Sequence, residues 1–426
     1  MKFAVIGTGG FAGTHHRALQ NLEKQGVAEL VATCDIGLCE NLERQDQLDL
    51  RERGVSIYND YREMLRAHHQ ELTAVIIPTP IPLHAEMHRE AVQLGIPVYL
   101  EKPPTLDYSE LEQMLQVEKK AHRATNVGFN FIIDPVRQQI KQRILNGDFG
   151  PVEAVSFLGL WPRKDSYFAR NNWAGRLFVD DTLVADSGLG NALAHFLHNS
   201  LFWAGTKSLF DWGQPREVIA QAYRAHEIES ADTFFTQINP LDGPPIRLAV
   251  SHAYCGKMIQ TEKILCQNAV IHYDAYGDSS IHWKEPSKDS ETLDHQRSMF
   301  VTENLLDYGA YVLGQKDRPQ TRLADTIPFV QSYNLTFLAS GTISPIPPAE
   351  VEKIPDSPEP GANYHLQIKG LTEAATEFTE SGEFPSPEKF SWARPEGRAT
   401  PDDLPRFRSV LQKMSAQTSF PSPCSS

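Results

Sequence analysis

The chain lacks the signatures of several large protein classes. Its five cysteines, Cys34, Cys39, Cys255, Cys266 and Cys424, are odd in number, scattered and without CxxC spacing, which excludes a disulfide framework and argues against structural zinc. No HExxH occurs, and His195 with His198 has no accompanying carboxylate pattern, so no metal is expected. Cys34 and Cys266 read as small buried hydrophobes. The start, MKFAVIGTGGFAG, has one Lys and then glycines instead of a long apolar run. It is expected to be neither signal peptide nor membrane span, which places the protein in the cytoplasm. Positive charge is also short. With 40 Lys and Arg against 54 Asp and Glu, the net charge is −14, a surface that repels phosphate backbones and sets nucleic acid aside as a partner.

What is present is an ordinary globular composition, 41% hydrophobic and 22% charged, over 426 residues, a length that calls for more than one core. From Lys2 to Asn126, short apolar runs (KFAVI, ELVATC, AVII, VYL) alternate with helical stretches, the rhythm of βαβ units and a parallel sheet buried on both faces. After Gly150-Pro151 the strands become longer and alternating, at Val152–Leu160, Val218–His226 and Ile246–His252, as in an open, mostly antiparallel sheet. A long insertion, Trp161–Lys207, separates the first two, and loops of that length are usually functional. Two helical stretches, His295–Leu313 and Ala324–Ser340, close the pattern. The expected architecture is α/β: a dinucleotide-binding domain over 1–128, a second α/β domain over 129–340 and a proline-rich arm over 341–426. The arm would wrap its own domain or a neighbouring subunit.

Gly7-Thr8-Gly9-Gly10-Phe11-Ala12 follows a strand and opens a helix, the context a GxGxxG/A dinucleotide fingerprint requires. Gly7 would permit the tight turn, Gly9 the approach of a pyrophosphate, and Ala12 close helix–strand packing. The phosphates would sit at the helix N-terminus. Asp35, about 20 residues on at the end of the second strand, can accept bonds from ribose hydroxyls. The same carboxylate would repel a 2′-phosphate, and Ile36 and Gly37 bring no cation, so NAD is favoured over NADP. The bland alternative is a glycine turn with an Asp cap.

Further along, Thr79-Pro80 with His84 (TP-x3-H), Glu101-Lys102-Pro103 after VYL, and GFNFIIDP at Gly128–Pro135 occur in order. With the glycine turn, these motifs resemble the Gfo/Idh/MocA family of oxidoreductases over about Met1–Ser340. The resemblance implies a Rossmann domain joined to an α/β domain whose open sheet often forms an oligomer interface, here a homo-oligomer, dimer or tetramer. It also implies hydride transfer on sugars, inositols or related alcohols. By the same resemblance Lys102 contacts substrate and cofactor and tunes proton transfer, and an Asp-x3-His helix supplies a histidine acid/base, His195. At the Asp position this sequence has Asn191, which can orient a hydroxyl but cannot take a proton. Thr79, Pro80, His84 and Glu101 would line the cofactor groove, and Asn130 would face substrate.

The chemistry stands independently. Oxidising a secondary alcohol removes a hydroxyl proton while hydride leaves the same carbon, and an imidazole suits that task. His198, one turn on, could share it. For His195 the alternative is a hydrogen-bonded core histidine. In the insertion, Arg163, Tyr167, Arg170, Asn171, Asn172 and Trp173 group planar donors with aromatics, suited to hydroxyl or carboxylate recognition and to stacking on a sugar ring, or to a solvated loop around one buried Trp. Two further readings remain open: a redox-neutral enzyme that uses NAD transiently in glycoside cleavage or epimerisation, and a non-enzymatic sensor of NAD or sugar.

Overall fold

The computed structural model describes residues 1–296, 298–359 and 361–417, and the chain divides into two compact units. The first comprises Met1–Thr105, Ser109–Asp134 and Met299–Thr326. Its sheet contains β1 (Lys2–Ile6), β2 (Glu29–Cys34), β3 (Ser56–Tyr58), β4 (Ala74–Ile77), β5 (Val98–Leu100) and β6 (Asn126–Val127). All are parallel, in the order β3-β2-β1-β4-β5-β6. Ala74, Val75, Ile76 and Ile77 are all buried, as a strand covered on both faces requires. Helices α1 (Ala12–Lys24), α2 (Leu42–Gln47), α3 (Tyr61–His68), α4 (His84–Gln93) and α5 (Tyr108–Glu118) make the crossovers. Strand order reverses between β1 and β4, so the crevice at their carboxyl ends is the place for a ligand.

The second unit comprises Leu106–Tyr108, Pro135–Ser298 and the chain from Ile327 on. It contains α6 (Pro135–Leu145), β7 (Val152–Leu160), α7 (Asp165–Phe168), the hairpin β8 (Phe178–Val179) and β9 (Thr182–Leu183), and α8 (Ala194–Ala204). Strands β10 (Pro215–Arg224), β11 (Thr233–Pro240), β12 (Ile246–Ser251), β13 (Ile259–Cys266), β14 (Ala269–Tyr273), β15 (Ser279–Trp283) and β16 (Glu291–Leu293) follow. With β7 they form one large sheet, β16-β15-β14-β13-β7-β12-β11-β10. These pairings are antiparallel except β7 with β12. Phe157 on β7 stacks on Phe196 of α8, centroids 4.3 Å apart, which fixes that helix on one sheet face.

The grouping differs from the division drawn from sequence in two places. α9 (Val301–Val312) belongs to the first unit, where Leu305 and Tyr308 are fully buried in its core and Tyr308 lies edge-on to Tyr99. Its apolar stripe completes a core that the first 128 residues leave partly uncovered. α10 (Ile327–Ser340) stays with the second unit and is buried almost all round. Of the two placements expected for the arm, the described residues 341–359 and 361–417 take the one on their own domain, and as folded elements instead of extended chain. They form β17 (Ser344–Pro345), β18 (Val351–Pro355), β19 (Tyr364–Ile368), α11 (Leu371–Ser381), β20 (Gly397–Ala399) and α12 (Phe407–Ala416). β17 and β20 both pair with β10. Leu371, Phe378, Phe390 and Trp392 pack in one cluster with Leu160, Tyr223 and Phe235 of the large sheet, so the segment packs on its own chain. A proline-rich composition hides the helices and strands, because only a few well-spaced aromatics bury the segment. Cys424 lies outside the described residues.

Candidate cofactor and substrate sites

β1 runs into the glycine turn, where φ is +108° at Gly7 and +53° at Gly10, values a side chain tolerates poorly. A Cβ on Gly7 would meet Ala12 Cβ at 3.7 Å and Thr79 Cγ2 at 3.8 Å, whereas one on Gly9 would meet nothing within 4 Å. Gly7 is thus glycine for its backbone and Gly9 for the space above it. α1 starts with no side-chain cap on Phe11 and no acid in its first turn, leaving its positive end for an anion. The arrangement fits a dinucleotide pyrophosphate.

Asp35 closes β2. Its Oδ2 accepts from Thr8 N at 2.9 Å and Thr8 Oγ1 at 2.6 Å, and its Oδ1 from Ile36 N at 2.9 Å. It braces the glycine turn, and a half-buried carboxylate with three donors still has room for a ribose hydroxyl. The sequence shows no cation at positions 36 and 37, but the fold brings one in: the Arg44 guanidinium on α2 donates to Thr8 O. His15 and His16 were also missed from sequence. His16 Nε2 lies 3.0 Å from Gly7 O, and burial holds this ring down at about 4, so as the neutral imidazole it donates to the turn. The available signal was a histidine pair directly after the glycines.

Two residues assigned to the cofactor groove point inward instead. Glu101 is 4% exposed, and its Oε1 lies 2.9 Å from His15 Nε2 while Oε2 accepts from Lys102 N at 3.0 Å. A Cβ on Gly128 would come within 2.8 Å of Oε1, which is why glycine opens GFNF. His84, 1% exposed, spans Pro103 O at 3.0 Å and Thr79 O at 2.8 Å, with burial lowering its pKa. It ties the Thr79-Pro80 loop to the Lys102-Pro103 turn, whose peptide bond is cis. Lys102 itself is half-buried and Pro80 exposed. Asn130 is a core residue, 1% exposed, with Oδ1 accepting from Tyr99 OH at 2.9 Å. Its Nδ2 is buried without a hydrogen-bond partner.

In the second unit, His195 occupies the first turn of α8 and is 8% exposed. Asn191 Nδ2 donates to Asp186 Oδ1 at 2.9 Å. A carboxylate only accepts, so this contact settles the amide's orientation and turns Asn191 Oδ1 away from Asp186 as an acceptor. Asp186 Oδ2 also accepts from Gly175 N at 2.8 Å, joining the insertion to the turn before α8. His198, expected to share the acid/base role, lies deeper than His195. It is fully buried, 5.1 Å from the Trp212 ring, and burial pushes its pKa well down. One and two turns beyond His195, Asn199 Nδ2 and Trp203 Nε1 donate to Glu262 on β13 at 3.2 and 2.5 Å. Arg137 adds two bonds of 2.8 Å to the same carboxylate, so a buried ion pair anchors α8 to the sheet.

The insertion residues Arg163, Tyr167, Arg170 and Trp173 come together. Arg163 lies over Tyr167 (4.7 Å) and Arg170 over Tyr167 (3.7 Å) and Trp173 (5.1 Å). Asn171 Oδ1 caps the turn by accepting from Trp173 N and Ala174 N, while Asn172 is exposed. Hairpin β18–β19 braces α7 through Lys164–Asp356 at 2.6 Å and an Asn363–Ser166 contact. Among the described residues no cluster of three His, Cys, Asp or Glu side chains could hold a metal, and no helix is long and apolar enough to cross a membrane.

The first unit therefore has the form of a dinucleotide-binding Rossmann domain and the second that of a large-sheet α/β domain. Residues 1–129 match the Gfo/Idh/MocA family model, described as "Oxidoreductase family, NAD-binding Rossmann fold", so the match spans the NAD-binding N-terminal domain. Inositol 2-dehydrogenase of Salmonella typhimurium is 28% identical over 151 residues, 35% of this chain and 43% of the relative. D-apiose dehydrogenase of Paraburkholderia graminis is 30% identical over 184 residues, 42% and 46% respectively. The chain thus spans less than half the length of these curated relatives. The fold extends further: the WlbA dehydrogenase of Bordetella pertussis, solved with NADH and UDP-GlcNAcA, superposes with TM-score 0.63 at 20% identity, covering 80% of this chain and 96% of that one.

Proposed function

We propose that this protein is an NAD-dependent dehydrogenase or reductase acting on a CH–OH group of a sugar, inositol or related polyol. The observation that carries the reading is a glycine cradle with open space above Gly9 in the same chain as His195, presented at the start of a helix beside an orientation-fixed Asn191. The named relatives, dehydrogenases of inositol and apiose, support the substrate class.

NAD, when bound, supplies a two-electron hydride acceptor. Gly9 and the N-terminus of α1 would hold its pyrophosphate and Asp35 its adenosine ribose. His195 takes the hydroxyl proton as general base. Asn191, its amide nitrogen committed to Asp186, accepts from a neighbouring hydroxyl and orients the ring. With no carboxylate at position 191, proton transfer in the second unit rests on His195. We further propose a cytoplasmic homo-oligomer, to be checked by light scattering.

The test is calorimetry with NAD and NADP, then incubation with a panel of sugars, inositols and sugar acids. Tighter binding of NAD and net NADH formation are expected. Product without net NADH would point to the redox-neutral enzyme, and NAD binding without any product to the sensor.

A further inference from the structure

The insertion carries two arginines whose charges are unmatched. Lys164, beside them in sequence, is paired with Asp356 at 2.6 Å. Arg163 and Arg170 have no carboxylate within 4 Å among the described residues. Their guanidinium groups rest on aromatic rings instead, Arg163 over Trp161 and Tyr167, Arg170 over Tyr167 and Trp173. Arg170 adds one bond to a neutral carbonyl, Tyr167 O at 2.6 Å. Arg163 Nε is buried with no acceptor, a state that costs free energy unless something supplies an oxygen.

Stacking occupies the faces of a guanidinium and leaves its in-plane N–H edge, which matches the two oxygens of a carboxylate or phosphate. The ladder is also fastened to the turn before His195. Arg163 N donates to His252 O at 3.3 Å, and His252 Nδ1 faces Trp161 O at 3.0 Å. A Cβ on Gly188 would lie 2.9 Å from His252 Nε2. Burial, with a smaller push from the Arg163 charge, holds His252 neutral at about 4, so it adds no competing cation or counter-charge. At the other end, Gly175, two residues past Trp173, donates to the same Asp186 that fixes Asn191.

From this placement we infer that the arginine–aromatic ladder binds an oxyanion on the substrate, so that the polyol acted on is an acidic one, a sugar acid or a sugar phosphate, not a neutral sugar. The inference rests on the dehydrogenase reading for the word substrate, but the binding site it names does not.

Calorimetric titration of the full chain, in the presence of NADH, with D-glucuronate, glucose 6-phosphate and glucose tests it. One of the two anions binds roughly tenfold or more tighter than glucose, the factor expected of a charge-assisted bidentate contact. Which of them does so identifies the oxyanion. Arg170→Gln and Arg163→Gln each reduce that preference to within about threefold, and Lys164→Gln leaves it intact. Arg170 is exposed, so its variant carries the test if Arg163→Gln melts early. Equal affinity for charged and neutral sugars, no binding of any of the three, or a preference retained in both arginine variants would overturn the inference. Failure of the dehydrogenase reading is distinct: anion binding with the stated variant effects, but no NADH formed from NAD with any sugar.

Discussion

Replacing Glu262 by Gln removes a negative charge from the interior of the second unit while keeping the side chain's shape. The carboxylate accepts four bonds, two from Arg137 and one each from Asn199 and Trp203. The Arg137 and Glu262 side chains are 0% and 1% exposed. Arg137 also sits against the rings of Tyr273 at 4.3 Å and Trp203 at 4.9 Å, so it cannot swing out to water without emptying the core. Gln leaves this cation buried without its counter-charge and sets an amide N–H against N–H donors. Breaking a buried pair from one side costs about 3 to 5 kcal/mol, or roughly 6 to 20 °C in the melting transition of the second unit. Replacing both partners, Arg137→Met with Glu262→Leu, recovers most of that loss, because the desolvation penalty disappears with the charges. Differential scanning calorimetry of the three proteins reads both effects. A Glu262→Gln protein that melts within 1 °C of the unmodified chain would refute the claim that this pair anchors α8.

Gly9→Val folds with a melting temperature close to that of the unmodified chain, since nothing lies within 4 Å of the new Cβ, yet it loses at least about tenfold in NADH affinity because its side chain occupies the space the pyrophosphate needs. Gly7→Ala, at φ +108°, instead costs about 1 to 3 kcal/mol in chemical denaturation. His16 and His252 are both held at about 4 against an ordinary 6.5. The unfolded chain therefore binds the extra protons: stability is full above pH 6.5, falls as pH drops from 6.5 towards 4, and levels off below, by roughly 3 kcal/mol per histidine at most. Melting temperatures that stay flat between pH 7 and pH 5 would contradict this. Trp392→Ala, which removes a side chain 1% exposed between Tyr223, Phe235 and Phe390, costs about 3 to 5 kcal/mol by urea titration.

The first unit was legible because its signals are local. Consecutive apolar residues such as Ala74–Ile77 specify a doubly covered strand, and the glycine turn has its meaning within six residues. The unit that holds α9 is not legible in sequence, because an amphipathic stripe shows that a helix is buried, not which core buries it. The folded elements of the tail are hidden for a related reason. Its prolines are frequent and its core residues few, but Trp392 and Phe378 reach the large sheet from more than a hundred residues away in sequence. In the sites, residue types were legible and their direction was not. Glu101 and His84 have the right chemistry for function, and only the fold shows them bonded to His15 and to backbone turns, just as only the fold shows how deeply Asn130 and His198 are buried. The reverse holds for Arg44 and His15, which carry no motif and acquire their places through contacts distant in sequence, and for Asp186 and His16, whose contacts are nearer but equally without a motif.

The measurement that bears most directly on the account is NADH absorbance when the protein and NAD are mixed with polyols and sugar acids, run beside His195→Ala and Lys102→Ala. NADH formation with at least one substrate is expected, reduced by two orders of magnitude or more in His195→Ala and strongly reduced in Lys102→Ala, with NAD affinity in the His195→Ala protein unchanged. Equal rates in the His195→Ala and unmodified proteins would contradict it.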